Sequence, residues 1–390
     1  MNDLPFHLLD NILFRLELKS LAMMRCTNRS INSHISDDPD FESEYSFRVG
    51  SSLFHLSSFG AHYVFCKPFS SYDSTSTGNE VQLFKEPCYI FGSCSGLLLL
   101  YIGDLFVANP LTKRFRVLDH SGSKLMSKIV GGDRNDRDDI IARAERAMCV
   151  GFAVNRNRTT KRFKIVCILE METVYAFEIS DGYFWRLSET TVTTTSKSDL
   201  TVWMKPVYLD GTLHWLRNDG SIIAFNPETE QARLISSIFH GGETDMKPFF
   251  AEDKKNNRLT LITGTKENIS VYTLIENSKW TLTKQIKNVS MEERNLVCWN
   301  VVAYDGKYLV VREMKYNTFK GVVHAYDTEA NTWRVFGSIW CSFKSDRDYY
   351  SFTPSLIFVE EDEHKKVIIA SNDLRMSYLN AVMGLIDTTD

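Results

Sequence analysis

The sequence predicts an α+β multidomain chain: a small three-helix module at the N-terminus, then an all-β, propeller-like repeat body. Three observations predict it. Apolar residues recur at helical spacing through residues 4–36, the pattern changes to short β-rich runs from about Phe47, and a two-part strand pattern then returns about every fifty residues.

In the N-terminal stretch Pro5 suits a first helical turn, and Leu8, Leu9, Ile12, Leu13 and Leu16 follow at three- and four-residue steps. A second helix is predicted from Lys19 to about Arg25, using Leu21, Ala22 and Met24. Asn28 caps a third, which carries Ile31 and Ile35 on one face and ends near Pro39. Three helices this short bury too little apolar surface to stand alone. The apolar stripe therefore needs a second surface, either a partner or the protein's own body. The composition shift at Pro39–Gly50 divides the chain into residues 1–45 and 46–390.

The body repeats. A compact strand recurs as SGLLLL at 95–100, KRFKIV at 161–166, GTLHWL at 211–216, NRLTLI at 257–262, GKYLVV at 306–311 and KKVIIA at 365–370. After each of the first five, an apolar strand runs into a polar turn and returns on an aromatic. The returning residues are Phe115, Trp185, Trp280 and Trp333, with Ala232 standing in the third unit. Spacing of this size is that of propeller blades. Six blades are expected, with seven as the alternative, and the segment Phe47–Cys66 is placed to close the ring. The tryptophans read as wedges between blades rather than as ligand-stacking platforms. Ser70–Glu80 and Gly131–Arg146 read as loops, the second as a mixed-charge solvated loop or short surface helix.

Composition narrows the function. Hydrophobic residues make up 43% and charged residues 24%, and 45 basic side chains face 49 acidic ones for a net charge of −4. Nothing in that balance draws nucleic acid or an anionic membrane. The longest apolar run, Leu97–Ile102, is far short of the roughly 20 residues a membrane helix needs. No secretory signal opens the chain, and the eight cysteines include no C-x-x-C pair. Both features fit reduced, core-filling thiols in an intracellular protein of the cytoplasm or nucleus.

Candidate chemistry is sparse. Gly92-Ser93-Cys94-Ser95-Gly96 has the outline of a hydrolase elbow, but that motif needs a helix after it. Here LLLLYIGDLFVANP follows, with Gly103-Asp104 as a hairpin turn, so Cys94 reads as a structural thiol. His214 lies between Leu213 and Trp215 with no ligand partner at metal spacing, and reads as a core or channel histidine. His55, His62 and Cys66 fall on mixed faces of a strand. No phosphate-cradling glycine loop is present. Neither a catalytic residue, a metal nor a cofactor is expected.

The N-terminal run resembles an F-box. The resemblance is carried by Leu4-Pro5, Leu8-Leu9, Ile12-Leu13, Arg15-Leu16, Leu18-Lys19-Ser20-Leu21, Arg25-Cys26, Arg29-Ser30, and Ile35 through Asp37-Asp38-Pro39 to Phe41. Ile31 stands where that family usually has Trp, and Thr27 where it usually has Val. The body is similar to the F-box-associated, kelch-like region of plant F-box proteins across most of residues 88–360. Gly92–Leu99, Asn109-Pro110-Leu111-Thr112, Gly151-Phe152, Phe163–Val166, Gly211–Trp215 and Ile223–Asn226 carry that likeness. The resemblance implies a non-catalytic substrate receptor of a Skp–cullin–F-box ubiquitin ligase. Its helices would bind a Skp-type adaptor through Leu4, Pro5, Leu8, Leu9, Ile12, Leu13, Leu16 and Leu21, and through it cullin. The body would hold an unidentified protein for ubiquitination. The alternatives are a β-propeller lectin or hydrolase, or an F-box protein acting outside a ligase.

Overall fold

The periodic N-terminal stretch folds into α1 (Phe6–Leu13), α2 (Leu18–Arg25) and α3 (Arg29–Asp37). A computed structural model of the chain describes residues 5–16, 18–38, 41, 44–45, 52–55, 88–131, 142–143, 145–155, 163–201, 204–237, 239, 244–275, 278–288, 296–315, 320–340, 349–355, 357, 359 and 374–384. Asn28 caps α3 as its sequence predicts: its side chain accepts the Ser30 N–H at 2.8 Å, an interaction worth about 1 kcal/mol. Pro5 stands one position ahead of the first turn instead of inside it. Its carbonyl accepts the N–H groups of Leu8 and Leu9.

Beyond the helices the chain forms antiparallel sheets. Blade 1 is β2 (Cys88–Cys94), β3 (Leu97–Ile102), β4 (Leu105–Asn109) and β5 (Arg114–Leu118). Blade 2 is β6 (Val150–Val154), β7 (Phe163–Met171) and β8 (Val174–Ser180), with β9 (Trp185–Leu187) and β10 (Val192–Thr193) both paired to β8. Blade 3 is β11 (Val207–Leu209), β12 (Thr212–Leu216), β13 (Ile222–Asn226) and β14 (Gln231–Ile235). Blade 4 is β15 (Phe249–Asp253), β16 (Arg258–Gly264), β17 (Asn268–Ile275) and β18 (Lys279–Lys287). Blade 5 is β19 (Leu296–Tyr304), β20 (Tyr308–Lys315), β21 (Lys320–Asp327) and β22 (Thr332–Trp340).

Among the described residues these are five blades, not the six expected from counting the strand pattern, nor seven. The sixth copy of the pattern, at 365–370, lies outside the described residues, as does Ser70–Glu80. Between the fifth blade and the first stands a two-stranded ladder of β1 (Ser52–His55) and β23 (Tyr349–Phe352), in register from Ser52↔Phe352 to His55↔Tyr349. First strands touch in the order β2, β6, β11, β15, β19, and β23 then touches both β19 and β2. Chain from before blade 1 thus pairs with chain from after blade 5, and the ring closes on itself.

Strand alternation explains how the blades stack. Successive residues of β3 point to opposite faces. Leu97, Leu99 and Tyr101 pack toward blade 2, against Val150, Phe152 and Ile165, while Leu98, Leu100 and Ile102 pack toward Tyr350 and Phe352 of the closing ladder. The same two-sided burial joins Phe177 to Trp215 and Phe225 across blades 2 and 3, and Ile262 to Trp299 across blades 4 and 5. Close stacking leaves no room at Gly264, where an added Cβ would lie 2.4 Å from the Trp299 ring.

The returning tryptophans are wedges, as their repeat suggested. Each donates its indole N–H to a backbone carbonyl of the blade before it: Trp185 to Asp119 at 2.7 Å, Trp280 to Gly220 at 3.2 Å and Trp333 to Lys287 at 3.2 Å. Asn109 shows why the Asn-Pro turn is specified. Fully buried, it donates to the carbonyls of Ser355 and Ile357 and accepts the N–H groups of Leu111 and Thr112.

Two helices in the body were not expected. α4 (Lys124–Val130) fills the seam between blades 1 and 2 with Leu125, Met126 and Ile129. The buried Glu178 carboxylate accepts the Ser123 hydroxyl at 2.7 Å and the N–H groups of Lys124 and Leu125, so blade 2 caps that helix. α5 (Leu374–Gly384) lays Tyr378, Leu379, Val382 and Met383 on blade 1, tied by Arg375 to Asp104 at 2.7 Å.

Candidate docking surfaces

The apolar stripe of the helical module divides into two faces one residue apart. Leu9 and Leu13 turn inward and form a core with Leu21, Ile31, Ile35, Phe41 and Tyr45, to which Phe14, Leu16 and Met24 add partly buried contacts. Leu8 and Ile12, each one position earlier on α1, turn outward and stay 46% and 44% exposed. Pro5 is exposed beside them, and Leu4 lies outside the described residues. Of the residues expected to dock a partner, Leu9, Leu13 and Leu21 are therefore occupied in holding the module together. Met23 of α2, which the helical spacing did not single out, is the most exposed of the large apolar side chains among the described residues, at 67%.

Polar side chains fix the helices around that core. His34 bridges the module, with Nε2 2.6 Å from Asp10 Oδ1 and Nδ1 3.3 Å from Asp38 Oδ2. Arg25 donates to Asn32 at 3.0 Å and the Tyr45 hydroxyl to the Leu16 carbonyl at 3.0 Å. Phe41 stacks between Phe14 and Tyr45. Ile31 fills an interior position of this core, and the Thr27 hydroxyl bonds back to the Met24 carbonyl.

On the propeller, Cys94 ends a strand and Ser95-Gly96, both at positive φ, form a hairpin turn into β3. No helix follows, and nothing there resembles an elbow. Burial pushes the Cys149 thiol up to about 12 and raises Cys167 well above its usual value, with the Glu178 carboxylate adding to the second. Such thiols are inert fillers. Cys26, by contrast, is exposed. His214 is buried with Nδ1 3.3 Å from the Val207 carbonyl, which makes it a core histidine. The described residues hold no cluster of three metal-ligating side chains, and none of their helices is long and apolar enough to cross a membrane. The His55 side chain, His62 and Cys66 lie outside the described residues, as does most of the Gly131–Arg146 loop. The other exposed apolar side chains are Met171, Tyr183, Phe184 and Leu187 on blade 2, Leu282 on blade 4 and Val335 on blade 5.

Comparison with known proteins agrees with this two-part build. Residues 1–43 match the F-box domain family. An Arabidopsis thaliana protein named for an F-box and kelch repeats is 65% identical over 400 aligned residues, covering 100% of this chain and 96% of that one. An F-box protein of the same plant is 67% identical over 297 residues, covering 76% of this chain and 95% of its own. Another protein of that plant, also named for its F-box, is 46% identical over 386 residues, with 96% and 88% covered. An F-box module of three helices joined to a β-propeller, in a chain this similar to those relatives along its whole length, belongs to the F-box/kelch-repeat family of plant F-box proteins.

Proposed function

We propose that this chain is the substrate-recognition subunit of a Skp–cullin–F-box ubiquitin ligase, with no chemistry of its own. In this reading the unit at 1–45 binds a Skp-type adaptor and, through it, cullin. The unit at 46–390 holds a target protein inside the cell so that it is ubiquitinated. The observation that carries the reading is the split stripe on α1. A free F-box module that had finished burying itself would not leave Leu8 and Ile12 half in water on the helix whose other apolar face is its own core. The docking set accordingly narrows to Pro5, Leu8 and Ile12, with Leu4 and Leu16 at its margins and Leu9, Leu13 and Leu21 supporting it from behind.

The test is a pull-down of a purified Skp-type adaptor by the full chain. Leu8→Asp with Ile12→Asp should reduce adaptor capture at least about tenfold, the loss of two buried apolar anchors, while circular dichroism and thermal unfolding stay unchanged. Capture that survives both substitutions would overturn the docking claim.

A further inference from the structure

In the four other blades the residues between the third and fourth strands include no aromatic ring: Pro110-Leu111-Thr112-Lys113, Pro227-Glu228-Thr229-Glu230, Glu276-Asn277-Ser278 and Thr328-Glu329-Ala330-Asn331. Blade 2 departs from its sisters with Asp181-Gly182-Tyr183-Phe184, and both rings are 62% exposed. Leu187, on the short strand that follows, is 56% exposed. Solvated rings of this size gain nothing for the fold where they stand.

The turn is also held rigidly. The Ser180 hydroxyl accepts the Gly182 N–H at 3.0 Å, and Asp181 Oδ1 accepts the Tyr183 N–H at 3.1 Å. Gly182 sits at φ +93° against the Phe163 ring, where a side chain would be strained and crowded. Immediately beyond, Trp185 is anchored to blade 1 through the Asp119 carbonyl, and Arg186 is ion-paired with Glu230. Backbone held in this way has already lost its conformational freedom on folding, so a ligand meeting the turn need not order it again.

Above this ledge lies one cation. Arg116, from the outer strand of blade 1, places its guanidinium carbon 3.8 Å from the centre of the Tyr183 ring. It makes no hydrogen bond or ion pair among the described residues, unlike Arg186 nearby. A guanidinium lying over a ring still presents N–H groups that a carboxylate can accept from. One such cation in a chain of net charge −4 does not make a field for nucleic acid or membrane. It does make a site for a single carboxylate next to apolar contact area.

We infer that the Arg116–Tyr183–Phe184 ledge is where the propeller grips its target, and that the gripped segment carries an Asp or Glu beside an aromatic or aliphatic side chain. The carboxylate pairs with Arg116 while the apolar neighbour packs on the exposed Phe184 ring. This deepens the receptor reading above and rests on it.

The test pans a random twelve-residue phage-displayed peptide library on the full chain, then measures affinity of one enriched synthetic peptide directly. Enriched sequences should place an acidic residue within a position or two of an aromatic or aliphatic one. Arg116→Ala, and separately Tyr183→Ser with Phe184→Ser, should each weaken the peptide about tenfold. Val335→Ser on blade 5 should leave it unchanged. Replacing the peptide's acid by its amide should cost the wild-type chain that same factor and the Arg116→Ala chain almost nothing. No enrichment, enrichment without acids, or equal binding to the ledge variants would overturn the inference. Adaptor capture run on the same variants separates the two readings. A chain that selects acidic peptides yet ignores the adaptor keeps the ledge and loses the ligase, and the reverse result does the opposite.

Discussion

Leu9 and Leu13 of α1 share one seven-residue core with neighbours fewer than forty residues away, whereas every residue of β3 in blade 1 is buried against a neighbour on one side or the other. Among the described residues the helical module has a single core and leaves Leu8, Ile12 and Met23 in water; the propeller has five apolar seams and, apart from the blade 2 turn, leaves out scattered apolar residues. A region with one core has one way to fail, and a partner laid on its open face adds to its stability directly. A ring of blades spreads its burial, so its surface can vary while the seams hold. The difference suits one end to obligatory docking and the other to display.

The comparison breaks most visibly at Leu13. Leu13→Asp puts a charge with no partner into the core the described residues of the module form, at a cost of roughly 3–5 kcal/mol, more than so small a unit can lose. Amides of Phe6–Asp37 should then exchange with deuterium within seconds while the five blades keep their protection. Parallel loss of protection in the blades would show that the two regions form one cooperative unit, and the contrast drawn above would fail.

At the seams a similar cost has a smaller consequence, because the other seams remain. Trp280→Ala removes a buried wedge between blades 3 and 4 and its bond to the Gly220 carbonyl, and should cost about 3–5 kcal/mol. The denaturant midpoint should fall, with exchange rising first in those two blades and adaptor capture unaffected. A cost below about 1 kcal/mol would mean that the indole is surface decoration, and the wedge reading would go with it.

Much of this was legible in the sequence because it rests on local rules. Asn28 announces a cap, Gly103-Asp104 a two-residue hairpin, and the repeat of aromatic returns announces the blades. What the repeat pattern contained was the second, third and fourth strands of each blade. The first strands run from the three residues of Val207–Leu209 to the nine of Leu296–Tyr304, and no fixed spacing or turn signature marks where each begins. Blade number went astray because the closing ladder pairs Ser52–His55 with Tyr349–Phe352, a contact no local window spans. Helix α5 was missed because its apolar residues make no strong one-sided stripe. The division of Leu8 and Ile12 from Leu9 and Leu13 needed a known core, since adjacent helical positions look alike until one face is covered. The ledge had a signal in the sequence, Tyr183-Phe184 where the sister segments carry no ring, but Arg116 reaches it from another blade.

The smallest expected effect concerns acid and falls on the propeller. His214 is buried in blade 3, and burial brings its imidazole down from the usual 6.5 to about 4, with the Val207 carbonyl opposing and the Arg233 charge adding. The folded chain thus keeps His214 neutral down to about pH 4, while the unfolded chain takes up a proton near 6.5. Between those values the unfolded state binds more protons, so stability rises with pH across the window and is lost as pH falls through it. At about 1.4 kcal/mol per unit the loss approaches ~3 kcal/mol at pH 4. His214→Gln keeps a donor near Val207 but cannot take the proton. Urea midpoints of the variant should therefore decline less than those of the wild-type chain from pH 6.5 to 4, even if they start lower at pH 7. Equal declines would remove His214 as the source and leave the acid sensitivity of the propeller to other groups.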